Sequence, residues 1–206
     1  MNEKNKNLLI RVVTGVTLLP LVLLLLFLGG YYSAILLGGA AAVCAGEYYF
    51  ITQKRLGAAA WVGMAFAFVM PLLPLRDAAR TGETAFWLTS VFFFFAWIYN
   101  LFRGSLAEAP GRAAHLVTGF LYGSIGLTAL SALRLLPGEG HAWVICALTI
   151  TWANDTLAYF AGRFLGKHKL YPAVSPNKTW EGFFGGMVGS VLGMFIAKHT
   201  DRRITH

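Results

Sequence analysis

Long apolar blocks separated by short polar breaks run along almost the whole chain, at about 10–28, 31–51, 58–75, 85–102, 113–135, 141–162 and 183–198. Each block is close to the roughly 20 residues that a helix needs to cross the hydrocarbon core of a bilayer. A helix also satisfies its own backbone hydrogen bonds where no water can. The pattern therefore predicts an all-α, polytopic helical membrane protein of about seven transmembrane helices, organised as a single membrane domain over residues 1–206. Only Gly29 and Gly30 separate the first two blocks, which predicts a tight helical hairpin with Tyr31 and Tyr32 at the membrane interface. In the last block Gly185, Gly189 and Gly193 recur every four residues, with Gly182 and Gly186 one position round. Such stripes let a neighbouring helix approach closely, and Gly119 and Gly123 in the fifth block have the same meaning.

Composition agrees with the pattern. Hydrophobic residues make up 57% of the chain and charged residues 13%, which excludes an ordinary water-soluble domain. The net charge of +8 does not point to nucleic acid, because the basic residues cluster at the ends of apolar blocks, where they fit topology and anionic headgroups. With the N-terminus in the cytoplasm, the inner side collects Lys4, Lys6, Arg11, Lys54, Arg55, Arg103, Arg112, Arg163, Lys167, Lys169 and Lys178. The outer loops then hold Arg76, Arg80 and Arg134. The positive-inside rule favours this orientation. The basic start and the apolar run at 12–28 resemble a secretory signal, but the run is longer than a signal core and no small-residue cleavage pattern follows promptly, so an uncleaved first span is expected. Cys44 and Cys146 lie in apolar runs without metal-ligand spacing and are read as packing residues.

Charge enters the apolar pattern most densely between Thr151 and Gly186, in TWANDTLAYFAGRFLGKHKLYPAVSPNKTWEGFFGG. Asp155 is flanked by Trp152, Leu157 and Phe160. A carboxylate is costly at membrane depth, so it should face protein, water, a cation or a metal; a helix-packing hydrogen bond or a salt bridge to Arg163 is the structural alternative. Four-residue spacing places Asp155, Tyr159 and Arg163 along one helix face. Beyond them, Lys167, His168, Lys169 and Lys178, interleaved with Ser175, Asn177 and Thr179, form a set of donors suited to phosphate oxygens. Lys167 and Lys169 also fit a purely topological role. Pro176 restrains the backbone, Thr179 or Asn177 could cap the helix that carries Glu181, and such a helix N-terminus is a ready anion site. Trp180 is read as an interfacial anchor. Glu47, among Tyr48, Tyr49 and Phe50, carries functional and structural readings side by side. His115, His141, His199 and His206 have no metal spacing.

SPNKTWEGFFGG, preceded by NDTLAYFAGRFLGKHKL, resembles the phosphatidate cytidylyltransferase family, also called CDP-diacylglycerol synthases. The resemblance is sharpest over about 152–186. It implies transfer of a cytidylyl group from CTP to phosphatidate, a membrane lipid, with release of pyrophosphate and with a divalent metal, Mg²⁺. It further implies that Asp155 holds the metal and acts in catalysis with Lys178. Arg163, Lys167, Ser175, Asn177, Thr179 and Glu181 would bind substrate. The protein would sit in a bacterial inner membrane with its site facing the cytoplasm, and could form a homodimer. Family members carry a further signature with a His-Gly-Gly and closing aspartates. No His-Gly-Gly occurs here and Asp201 with Arg202 does not reproduce the pattern, so the chain is expected to correspond to the N-terminal portion of such an enzyme and to have little activity alone. Two rival readings are an inactive fragment that only associates in the membrane and an ion-coupled carrier using Asp155 and Glu47.

Overall fold

The computed structural model describes the backbone of residues 3–200 and the side chains from Val13 to His199. Expectations placed on the side chains of Lys4, Lys6, Arg11, Asp201, Arg202 and His206 lie outside the described residues. Among the described residues, eight α-helices and one short hairpin follow each other: α1 (Glu3–Leu28), α2 (Gly30–Gln53), α3 (Ala58–Val69), α4 (Leu73–Arg76), α5 (Thr81–Leu101), α6 (Ala109–Arg134), α7 (Gly140–Phe164), β1 (Lys169–Tyr171), β2 (Ser175–Thr179) and α8 (Trp180–Thr200). Among the described residues six helical segments are long and apolar enough to cross a membrane, and α1 adds an apolar stretch over Val16–Leu28. The protein is an integral, polytopic α-helical membrane protein. The chain divides into two compact units, Met1–Leu136 and Pro137–His206.

The first unit is held by small residues and a few aromatic rings. Ala41 and Ala45 of α2, Ala60 and Ala67 of α3 and Ala96 of α5 are fully buried, so backbones approach closely without a hydrophobic force to draw them together. Tyr49 is fully buried and donates its hydroxyl hydrogen to the Leu116 carbonyl at 2.7 Å. Gly63 and Gly119 give that ring its room, since a Cβ at either would meet it. Gly123 packs against the Ala41 carbonyl and Ala45, as its spacing from Gly119 predicted. Phe66, Phe92 and Phe120 complete the core, with ring centroids 4.8–6.2 Å apart.

Two breaks in the helices have clear causes. The block predicted at 58–75 is divided by a 3₁₀ turn at Met70–Leu72, because Pro71 and Pro74 lack the N–H groups a continuous helix would use. Ser131 of α6 donates to the Pro71 carbonyl at 2.7 Å, satisfying a polar group in the broken stretch. Between α1 and α2, Gly29 and Gly30 take φ of 68° and 54°, the left-handed region open to glycine. Arg134 lies where a Gly29 side chain would be and caps α1, with Nε donating to the Leu26 carbonyl at 2.7 Å and Nη2 to that of Phe27 at 2.6 Å. Tyr31 and Tyr32 are exposed at this tight connection.

The second unit is an antiparallel pair, α7 and α8, joined by the β1–β2 hairpin. The glycine stripes of α8 are its contact face. A Cβ at Gly185 would meet Ala161 and the Leu157 carbonyl, one at Gly189 the Ala153 carbonyl, and one at Gly193 Ala153 and Ile150. Gly182 and Gly186 lie against Ala158 on the same side. The hairpin was not foreseen, because strands of three and five residues interrupted by prolines give no alternating apolar pattern.

Candidate active site

Asp155 lies nine residues before the end of α7 at Phe164, about 14 Å along the helix axis. That is about half the thickness of a hydrocarbon core. Its carboxylate does not pair with Arg163, and among the described residues it forms no ion pair. The partner it has is Asn154, whose Nδ2 donates to Asp155 Oδ1 at 3.2 Å. Ser190 of α8 is 3.2 Å from Asn154 Oδ1 and donates toward it, so the amide is aimed from across the helix pair. Asn154 and Ser190 were missed in the sequence; the adjacency of Asn154 to Asp155 was the available signal.

One turn further, Arg163 Nη1 donates to the Tyr159 hydroxyl at 2.6 Å, and the guanidinium carbon lies 5.9 Å from the centre of the Tyr159 ring. The predicted face of carboxylate, phenol and guanidinium is therefore present. A groove of about 770 Å³ runs along it. Its polar wall is Asn154, Asp155, Tyr159 and Arg163 from α7 with Asn177, Lys178 and Thr179 from β2. Its apolar wall includes Leu170, Phe183 and Met187. A carboxylate, two cations and several hydroxyl or amide donors thus share one cleft with apolar surface, which suits an amphiphilic, phosphate-bearing ligand.

Three predicted residues stand elsewhere. Lys167 is exposed in the connection from α7 to β1, and Ser175 is half-buried where β2 begins opposite Tyr171; neither lines the groove. Glu181, in the first turn of α8, accepts hydrogen bonds from the His168 backbone N–H at 3.2 and 3.3 Å, and its Oε1 is 2.7 Å from His168 Nδ1. Thr179 does cap α8, accepting the Gly182 N–H at 3.2 Å, while Trp180 N–H donates to the His168 carbonyl at 3.0 Å. The positive end of α8 therefore already has a carboxylate of the chain itself, and two of its first amides are occupied. Arg163 and Lys178 are the cationic side chains that line the groove.

The histidines left aside in the sequence include His115, which shares a 3.2 Å hydrogen bond with the Tyr48 hydroxyl. Cys44 and Cys146 are both free thiols. No group of three or more metal-ligating side chains occurs among the described residues. Asp155, exposed to a groove that can also admit phosphate oxygens and water, nevertheless fits the way Mg²⁺ is commonly held, by one or two carboxylates with the remaining ligands from substrate and solvent.

Residues 9–204, nearly the whole chain, match the model of the cytidylyltransferase family. The chain belongs to the cytidylyltransferase family. A phosphatidate cytidylyltransferase of Staphylococcus epidermidis is 45% identical over 94 residues, 43% of this chain and 35% of that protein. The phosphatidate cytidylyltransferases of Staphylococcus saprophyticus and Staphylococcus aureus are 42% and 41% identical over 80 residues, 39% of this chain and 30% of each relative. The chain thus covers about a third of the length of these curated relatives. Family membership fits the groove, where cations and a carboxylate line a cleft between two helices long and apolar enough to span a bilayer.

Proposed function

We propose that the groove of α7, β2 and α8 is the site of a phosphatidate cytidylyltransferase, which transfers CMP from CTP to phosphatidate and so forms CDP-diacylglycerol and pyrophosphate. The observation that carries this reading is the convergence of Asp155, Arg163, Asn177, Lys178 and Thr179 on one cleft that also has an apolar wall. A phosphatidate phosphate oxygen attacks the α-phosphorus of CTP in line, a bond to that phosphorus forms as the bond to the bridging oxygen breaks, and pyrophosphate leaves. Arg163 and Lys178 neutralise charge on the phosphates. Asn177 and Thr179 orient the headgroup, and Tyr159 holds the Arg163 guanidinium over the cleft. Asp155 would hold Mg²⁺, which when bound neutralises charge on the triphosphate. The acyl chains remain along Phe183 and Met187, so only the headgroup enters the polar part.

A hairpin on the cytoplasmic side of a bacterial inner membrane, where CTP is available, is the orientation that the basic clusters support. The test is labelled CTP with phosphatidate and Mg²⁺ in detergent, using this chain and the same chain extended by a relative's C-terminal segment. The extended form should make CDP-diacylglycerol, and Arg163→Ala with Lys178→Ala should lower its rate by about 10²- to 10³-fold. No phosphatidate-dependent product from the extended form, or full activity in the double variant, would overturn the proposal.

A further inference from the structure

The geometry points to Glu181 as a positioning residue that latches the α7–β1 connection onto the first turn of α8, and not as a ligand of substrate. Glu181 does not line the groove. Both its oxygens face the His168 N–H, and Oε1 also meets the His168 ring nitrogen. The Glu181 side chain keeps 24% of its surface while the His168 side chain keeps 78%, so the histidine lies outside and shields the carboxylate. The contact is reciprocal, because the His168 carbonyl accepts the Trp180 N–H at 3.0 Å. One residue of the connection is thus held through its N–H, its carbonyl and its ring by two consecutive residues of α8.

The consequence for the groove follows from chain continuity. Lys169, next to His168, pairs with Thr179, and Thr179 both caps α8 and lines the cleft beside Lys178. Gly166 packs against the Thr179 side chain, and a Cβ there would also strike the Gly162 carbonyl. Fixing residue 168 therefore fixes the strand that presents Asn177, Lys178 and Thr179. A carboxylate suits this place because it meets both the partial positive charge of the α8 N-terminus and two N–H donors. The latch stands on these contacts alone; its effect on nucleotide affinity rests on the function proposed above.

Amide hydrogen exchange of the peptide containing His168 and Trp180, measured in detergent, tests the latch without any reaction. In Glu181→Ala these amides should exchange about tenfold faster, while amides around Tyr49 keep their wild-type rates. His168→Phe, which loses only the ring contact, should give a smaller increase and serves if Glu181→Ala does not insert. Unchanged exchange in an inserted Glu181→Ala, or in His168→Phe where it must stand in, would overturn the latch. CTP binding by equilibrium dialysis separates the two readings. If the wild type binds and the latch acts on the groove, Glu181→Gln should weaken binding less than Glu181→Ala. Faster exchange with undiminished CTP binding would overturn the positioning role. A wild type that does not bind CTP would instead count against the proposed function.

Discussion

Asp155 was legible because a carboxylate within an apolar block is expensive at membrane depth, yet its neighbourhood was not. Sequence spacing offered Arg163 as its partner, two turns away on the same face. The structure instead gives Arg163 to Tyr159 and leaves Asp155 with Asn154, because the guanidinium reaches the nearer phenol. Glu181 shows the same limit: its place at a helix start was readable, but its engagement with His168 depends on a hairpin whose strands are too short to leave a pattern. The charge pattern gives Arg112 a topological role. It also ties the α5–α6 connection, donating to Glu108 at 3.0 Å, to the Ser105 carbonyl at 2.9 Å and to the Arg103 carbonyl. At Asp155 the prediction is specific. Asp155→Asn keeps the size and removes the charge, so it should abolish Mg²⁺-dependent transfer in the extended form while leaving membrane insertion intact. Transfer assays beside a membrane-fractionation control measure both; retained turnover would make Asp155 a structural residue.

Most of the helices were legible almost to their ends, since hydropathy reports what hydrocarbon demands of a backbone; the exceptions are the break at Pro71 and the polar start of α1 at Glu3. The observed α5 and α6 begin four residues before the apolar blocks at 85 and 113, and α8 begins three before the block at 183, because polar first turns continue a helix without adding to hydropathy. Glycine periodicity was the other reliable signal. The stripe on α8 lies directly on α7, and its backbone approach leaves no space at Gly189, where a Cβ would be 2.5 Å from the Ala153 carbonyl. Gly189→Leu should therefore force α7 and α8 apart, costing about 1–3 kcal/mol as an overpacked contact and lowering the thermal midpoint in detergent. Gly39→Ala, at a position with nothing within 4 Å, should leave that midpoint within experimental scatter. Equal midpoints for the two variants would show that the stripe is not a tight interface.

For the molecule as a whole, hydropathy and charge carried the membrane character, while the proposed chemistry rests on a motif and on family membership. Three spanning helices, α5, α6 and α7, separate the connection at Asp77 from that at Leu165. The two should lie on opposite sides of the membrane, with a reporter fused after Leu165 cytoplasmic and one inserted near Asp77 external; the reverse labelling would overturn the orientation. The claim that the groove of the second unit receives the nucleotide can be read out most directly by photolabelling the membrane-inserted protein with a radiolabelled azido analogue of CTP and mapping the modified peptides. Label should appear in peptides covering 154–163 or 177–187, decline when CTP is added, and fall about tenfold or more in Arg163→Ala with Lys178→Ala. Label confined to the first unit, or label in the groove that CTP does not displace, would contradict the account.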